Sequence, residues 1–137
     1  QVGVRETRRI VGHYVLTEDD IVSGRQFDDA VALCAWPIDI HSPDGTGLDV
    51  VELENNSYYS IPYRAMIPVG SKNLIVTGKG ISTTHEAFAS ARVSPTAMAL
   101  GQASGIAASM AFKALIEPIQ VDTDELRRKL IATNQIL

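Results

Sequence analysis

The chain has 137 residues, of which 45% are hydrophobic and 20% charged, so it is long and apolar enough to build a folded core. Its net charge of -4 and its scattered basic residues give no electrostatic case for nucleic acid binding. The single Cys34 excludes an internal disulfide and fits a reducing compartment, so we expect a cytoplasmic protein. The chain begins at Gln1 and not at Met, which suggests a processed, truncated or partial product.

The first 65 or so residues are predicted to be mainly β. Four segments have the β-branched, apolar or alternating pattern of strands, with the second interrupted by a proline: residues 4–16, 30–40, 49–53 and 58–66. Thr17 is a plausible N-cap of a short acidic helix that ends near Gly24. Turns are predicted over residues 42–47 (SPDGTG) and at 55–56 (NN).

The second half is predicted to be a short strand followed by helices. Residues 74–77 (LIVT) suggest a buried strand, and Ser94 suggests the N-cap of a long helix with Pro95 at its first position. The small residues on one face of that helix would let a backbone approach closely: Ala97, Gly101, Gly105 and Ala108. A last helix should start near Asp122 and bury three residues: Leu126, Leu130 and Ile131.

The polar loop between that strand and the long helix is the best candidate for a binding site. It carries six polar side chains: Ser82, Thr83, Thr84, His85, Glu86 and Arg92. Ligands of open α/β sheets bind beyond the carboxyl ends of strands, where helix N-termini offer free N–H groups and a partial positive charge. Such an end suits a phosphate, a carboxylate or a reduced flavin ring. The alternative is an ordinary buried helix with a polar cap.

Several familiar motifs are incomplete in this sequence. The run Gly78-Lys79-Gly80 is not a dinucleotide fingerprint, because Thr83 stands where the third glycine belongs, and it does not fit a phosphate-binding loop either. His85-Glu86 does not begin a zinc-binding H-E-x-x-H, because position 89 is alanine. No metal-ligand spacing appears, and residues 97–115 are too polar for a membrane span.

Long segments of the chain resemble the FAD-dependent oxidoreductases of the glutathione-reductase-like superfamily. The segments are RETRRIVGHYVLTEDDI, FDDAVALCAWPIDIH, YSIPYRAMIP and ISTTHEAFASARVSPTAMALGQASGIAAS, in this order. The resemblance implies an α+β chain: residues 1–67 would be the end of a β-rich substrate domain, and residues 68–137 the C-terminal βα unit of a Rossmann-like FAD-binding domain. The G-x-G-x-x-G that grips the FAD pyrophosphate is absent from these residues, so the partner would be a missing N-terminal half.

The resemblance also assigns roles to individual residues. Seven would contact FAD: Gly78, Ile81, Ser82, Pro95, Thr96, Ala97 and Met98. His85 and Arg92 would act in catalysis, His85 moving a proton. Three would contact a small organic substrate: Glu86, Tyr63 and Arg64. The alternatives are a structural histidine, an ion pair between Arg92 and Glu86, a core tyrosine and a structural arginine. Trp36, Asp39 and His41 could also line the pocket.

The resemblance implies hydride transfer between the substrate and FAD, which the fragment alone would bind weakly. The alternative function is a non-catalytic binding or assembly module. It would present the Ala/Gly helix to a partner chain or to a second copy of itself.

Overall fold

The computed structural model describes residues 6–41, 47–54 and 57–137, without the side chains of His41 and Leu48. The turn predicted at residues 55–56 lies outside the described residues, as do residues 42–46 of the turn at 42–47 and residues 4–5 of the first predicted strand.

The described part contains both helices and small antiparallel sheets, which confirms the α+β class. The helices are α1 (Glu18–Val22), α2 (His85–Ala91), α3 (Ser94–Ala114) and α4 (Thr123–Ala132). The strands are β1 (Ala30–Cys34), β2 (Ile38–His41), β3 (Leu48–Val51) and β4 (Tyr59–Pro62). Strands β1 and β4 pair in one two-stranded sheet, and β2 and β3 pair in another. The described residues also form 3-10 helices at Tyr63–Met66, Gly78–Gly80 and Pro118–Gln120.

The core lies between the β1–β4 sheet and the long helix. Helix α3 packs on β1, α4 and the Gly78–Gly80 turn, while α2 packs on β2. All four residues of β4 are buried, which is the pattern of a strand covered on both faces. The apolar residues of β1 and β4 therefore form the centre that holds α3 in place.

The prediction of a strand over residues 4–16, with a possible bend at Gly12, is wrong for the described part, residues 6–16. Only isolated bridges form there, because this stretch bonds to two different neighbours in turn. The N–H of Leu16 donates to the carbonyl of Ser82 (3.0 Å), whereas that of His13 donates to the carbonyl of Ile67 (3.0 Å). The segment thus lies between two loops and does not pair along its length with one strand.

Gly12 is required for steric reasons where this segment passes between the two loops. A Cβ at this position would lie 2.8 Å from the Cβ of Ser82 and 3.1 Å from the carbonyl oxygen of Arg64. Both distances are shorter than ordinary van der Waals contacts, so the close approach of the three chain segments depends on the missing side chain.

Two other strand predictions need correction. Residues 74–77 do not form a strand: Leu74 is half exposed, and Val76 makes a single backbone bond to Met66 (2.8 Å). The strand predicted over residues 58–66 is shorter, because the chain turns into a 3-10 helix at Tyr63. The break at Pro37 is confirmed, since it separates β1 from β2.

The predicted ends of the short helices are largely confirmed. Thr17 caps α1: its hydroxyl accepts from the N–H of Asp20, and the Asp20 carboxylate accepts from the N–H of Thr17 (2.9 Å). Gly24 follows α1 with a left-handed φ of 65°. Asp122 caps α4 by accepting two backbone N–H groups.

The last helix buries two of the three residues predicted for its core. Leu126 and Leu130 are fully buried, whereas Ile131 is 54% exposed, so that part of the prediction is wrong. Ile131 is adjacent to Leu130, which places it about 100° further around the helix and away from the core.

Helix α3 begins one residue away from the predicted cap. Val93, and not Ser94, is its N-cap, so Pro95 is the second helical residue. The helix has a buried face and an open face. The buried face consists of Thr96, Leu100, Ala103, Ala107 and Ala111. The open face consists of Ala97, Gly101, Gly105 and Ala108, which are half-buried or exposed. No helix in the described part is long and apolar enough to cross a membrane.

Candidate functional site

His85 and Arg92 are brought together by helix α2, an element that the sequence analysis did not predict. Thr84 caps this helix through its hydroxyl, which accepts from the N–H of Ala87 (3.3 Å). His85 is the first residue of α2 and Arg92 is its C-cap. A separation of seven residues is about two turns, so the two side chains lie on the same side of the helix.

Both side chains line a cavity of about 240 Å³, here called the charged cavity. Four ionisable side chains contribute to it, together with a wall of apolar ones. Its lining residues are Glu6, Asp39, Ile40, His85, Phe88, Ala89 and Arg92. Helix α2 and strand β2 therefore form two of its sides, and the N-terminal segment closes a third.

The Arg92 side of the cavity is held by an ion pair with Asp39. The Nη2 of Arg92 lies 2.6 Å from Oδ1 of Asp39 and also donates to the Asp39 carbonyl oxygen (3.1 Å). Both side chains are mostly buried. The alternative pairing of Arg92 with Glu86 is therefore not the one found.

The His85 side is held by Glu6, whose role the sequence analysis missed. The Nδ1 of His85 lies 3.1 Å from Oε1 of Glu6, and Arg9 binds the same carboxylate oxygen. These hydrogen bonds, the one from Arg9 being the larger contribution, lower the pKa of Glu6 below its usual value. Glu6 is therefore ionised at neutral pH and leaves Nε2 of His85 free of this contact.

The third polar residue predicted on α2, Glu86, does not line the charged cavity. It lies in the first turn of the helix, where its own backbone N–H and the Thr84 hydroxyl lower its pKa. Its predicted contact with substrate stays a prediction.

Tyr63 and Arg64 also lie outside the lining of the charged cavity. Tyr63 is buried and its hydroxyl donates to the carbonyl of Pro118 (2.9 Å), while burial raises the pKa of Tyr63. Arg64 makes a bidentate ion pair with Asp29, at 2.9 and 3.1 Å. These contacts tie distant segments of the fold together, and a contact of either residue with substrate stays a prediction.

The predicted cofactor residues Gly78, Ile81 and Ser82 form an unusual local structure. Gly78 has a left-handed φ of 62°, and a Cβ there would meet no described atom within 4 Å. Ile81 and Ser82 are buried. The Ser82 hydroxyl has no hydrogen-bond partner among the described residues, which is costly for a buried polar group.

The other predicted cofactor residues lie at the start of α3, which has no side-chain cap. The N-cap Val93 offers no hydrogen-bonding side chain, and no acidic residue lies in the first turn. Pro95 and Met98 are exposed, Ala97 is half-buried and Thr96 is buried. The first N–H groups of a 21-residue helix are therefore left for solvent or a ligand, at the end where the helix dipole favours negative charge.

The charged cavity and the start of α3 are neighbours along the chain. Arg92 lines the cavity, and Ser94 begins α3. Two consecutive Cα–Cα steps span at most about 8 Å, so the Cα atoms of Arg92 and Ser94 lie within that distance of each other. A group bound at the helix start could therefore reach a small molecule in the cavity.

These features fit an FAD-type group. The unpaired Ser82 hydroxyl, the open space at Gly78 and the uncapped start of α3 are what a large anionic or polar ring system needs. No group of three or more His, Cys, Asp or Glu side chains in the described part could hold a metal ion.

Comparison with known proteins identifies the class. The family model for FAD dependent oxidoreductases matches residues 1–130, which is nearly the whole chain. The chain belongs to this family, so it is related to flavoprotein oxidoreductases that depend on FAD. No curated protein and no solved structure matches it.

Proposed function

We propose that the chain is the C-terminal part of a flavoprotein of the glutathione-reductase-like superfamily that transfers hydride between a small organic substrate and FAD. One observation carries the proposal. The uncapped start of α3 follows directly on the helix whose His85 and Arg92 line the charged cavity. An anion-stabilising helix end and an acid–base pocket are thus adjacent, as a flavin reaction requires.

The cofactor would be held by the two sets of residues predicted for it. Ser82 would donate its unpaired hydroxyl, Gly78 would present backbone without a side chain, and Ile81 would present its backbone while its side chain stays buried. The helix start at Pro95–Met98 would stabilise negative charge on the flavin through the helix dipole. When bound, FAD supplies the hydride acceptor or donor, and the protein supplies position and electrostatics.

His85 would act as the proton-transfer residue. Glu6 holds Nδ1 of His85 at 3.1 Å, which fixes the ring so that Nε2 can take a proton from substrate or return one. Arg92, fixed by Asp39, would orient the substrate beside it. Both roles use atoms that line the charged cavity.

The domain boundary and the missing half belong to the same proposal. Residues 1–67 would complete a substrate domain, and residues 68–137 would complete the FAD-binding domain. The open face of α3 would receive the N-terminal half that grips the pyrophosphate. A Cβ added at Gly101 or at Gly105 would meet no described atom within 4 Å, so a backbone could approach closely there.

The open face also supports the alternative, a binding or assembly module without catalysis. Exposed apolar side chains continue this surface beyond the helix glycines, with Phe112 at 80% and Leu115 at 89% exposure. Apolar surface of this kind marks an interaction site. In this version the same face would bind a partner chain or a second copy, and no flavin would be needed.

The substitution His85→Ala in the flavin-containing protein tests the catalytic proposal. We expect substrate to reduce the flavin about 10²- to 10⁴-fold more slowly, with flavin content unchanged, because only proton transfer is lost. The control is His13→Ala, which removes another exposed histidine that lies outside the cavity lining. Stopped-flow absorbance of the flavin gives the rate, and the flavin-to-protein ratio gives the content.

Two results would decide against the proposal. Unchanged reduction kinetics in His85→Ala would remove His85 from the mechanism. A natural, full-length gene product that folds, binds a protein partner and carries no flavin would favour the binding module.

A further inference from the structure

We infer that the charged cavity is built for a neutral, polyhydroxylated molecule about the size of one sugar ring, and not for a charged substrate. The inference deepens the proposed function, because it names the substrate class for the same site. It is carried by the state of the ionisable groups in the cavity, which already pair with one another.

The first step concerns the ion pairs. Arg92 is paired with Asp39, and His85 is hydrogen-bonded to Glu6. A carboxylate ligand that reached Arg92 would lie beside the Asp39 carboxylate, and an ammonium ligand that reached Asp39 would lie beside the Arg92 guanidinium. Either arrangement places like charges next to each other, which opposes binding.

The second step concerns the net charge. In formal charges, with histidine not counted, the lining carries one positive charge, from Arg92, and two negative charges, from Glu6 and Asp39. Arg9 adds a second positive charge, because it binds Glu6 and lies 5.3 Å from the centre of the Phe88 ring. Over these described residues the formal charges sum to zero, so the pairs around the cavity favour neither a cation nor an anion.

The third step concerns the hydrogen-bonding capacity that remains. A carboxylate offers about four acceptor sites and a guanidinium five donors, and the pairs described use only some of them. A hydroxyl group can donate to a carboxylate and accept from a guanidinium or imidazole without breaking either pair. Neighbouring hydroxyls on one molecule could therefore bind Asp39, Arg92 and His85 together.

The fourth step concerns size and the apolar wall. A volume of about 240 Å³ holds one small ring, and Phe88, Ile40 and Ala89 line part of the cavity. The C–H face of a saturated ring can pack on such a wall while its hydroxyls face the polar side chains. A flat aromatic acid or a long chain would match this lining less well.

Binding can be measured through the single tryptophan of the chain. The indole Nε1 of Trp36 lies 3.5 Å from Oδ2 of Asp39, and the side chain is about half exposed, so its fluorescence should respond to a ligand at Asp39. The probes share a cyclohexane ring and differ in their substituents: myo-inositol, cyclohexanol, cyclohexanecarboxylate and cyclohexylammonium. The full chain is titrated with each at neutral pH.

We expect myo-inositol to bind at least about tenfold more tightly than the other three probes, since each hydrogen bond to a charged group adds about that factor. Asp39→Asn should weaken myo-inositol binding and strengthen binding of cyclohexanecarboxylate, because it frees Arg92. Glu6→Gln, at the more exposed pair, should weaken myo-inositol without affecting the fold. Glu125→Gln, on α4 and outside the lining, is the matched control.

The inference is overturned if a charged probe binds as tightly as myo-inositol, or if myo-inositol produces no saturable change at any soluble concentration. Circular dichroism checks that each variant is folded. If Asp39→Asn does not fold, Glu6→Gln still tests the inference. Flavin reduction is assayed separately in the flavin-containing protein. Polyol binding without flavin reduction would support the ligand class and refute the reaction. Flavin reduction by a charged substrate alone would support the reaction and refute the ligand class.

Discussion

The two faces of helix α3 are built from similar small residues but have different surroundings. On the buried face, Ala103 and Ala107 are fully covered by the packing of α3 on β1, α4 and the Gly78–Gly80 turn. On the open face, a Cβ added at Gly101 or at Gly105 would have no described atom within 4 Å. The spacing of small residues therefore indicates that a face can be closely packed, and only the surrounding chain determines whether it is.

The glycines make this difference informative. A glycine inside a helix costs about 1 kcal/mol relative to alanine, so an exposed helix gains nothing from carrying two of them. Close approach of another backbone is the physical reason to keep glycine at such positions. Under the proposed function, the N-terminal half of the flavoprotein supplies that backbone.

The largest expected effect is on the buried face. Leu100→Ala should lower the free energy of unfolding by about 2–5 kcal/mol, because it leaves a cavity at a fully buried site. The matched control is Met98→Ala, two residues earlier on the same helix and 74% exposed, which should change the free energy by less than about 0.5 kcal/mol. Urea denaturation followed by circular dichroism measures both. Equal effects would mean that the buried and the exposed positions of α3 do not differ as described.

A neighbouring pair of alanines sharpens the comparison. Ala107→Leu should destabilise the chain by about 1–3 kcal/mol, because it overfills a site with no exposed surface. Ala108→Leu should change the stability by less than about 0.5 kcal/mol, because that side chain borders an open groove. The two variants have the same composition, so their difference isolates the packing. A cost for Ala108→Leu as large as that for Ala107→Leu would show that something covers the open face.

The open face is tested in the flavin-containing protein by Gly101→Leu. We expect FAD to bind at least about tenfold more weakly, equivalent to about 1.4 kcal/mol, because the bulky side chain would keep the N-terminal half away from α3. The flavin-to-protein ratio after dialysis measures the effect, and Ile131→Ala, on exposed surface of α4, is the control. Full flavin occupancy in Gly101→Leu would contradict the close-packing argument.

The features that sequence predicted well depend on signals within a few residues. The caps at Thr17 and Asp122 and the break at Pro37 follow from the chemistry of single side chains. The strand expected at residues 74–77 does not form, because a strand needs a neighbouring strand to pair with. In the described chain, Val76 donates a single backbone hydrogen bond, to Met66. An apolar run by itself carries no information about that neighbour.

The charged cavity could be predicted only in part. His85 and Arg92 were among the polar residues of the predicted loop, and Asp39 was among those that could line the pocket. The pairs His85–Glu6 and Arg92–Asp39 could not be predicted, because their members are separated by 79 and 53 residues. Recognising α2 would have excluded the pairing of Arg92 with Glu86. Glu86 and Arg92 are six residues apart, which at about 100° per residue is about 600° around the helix axis. Their side chains therefore point in directions about 120° apart.

The smallest expected effect has the opposite sign and separates the two kinds of glycine. Gly101→Ala should stabilise the 137-residue chain by about 0.5–1 kcal/mol, because helix propensity rises and a Cβ there meets open space. Gly12→Ala should destabilise it, because the same Cβ would lie 2.8 Å from that of Ser82. Thermal unfolding of both variants gives the signs. Suppose that Gly101→Ala stabilises the chain and that Gly101→Leu loses flavin. The two results together would mean that Gly101 serves the contact with the N-terminal half and not the fold of the 137-residue chain.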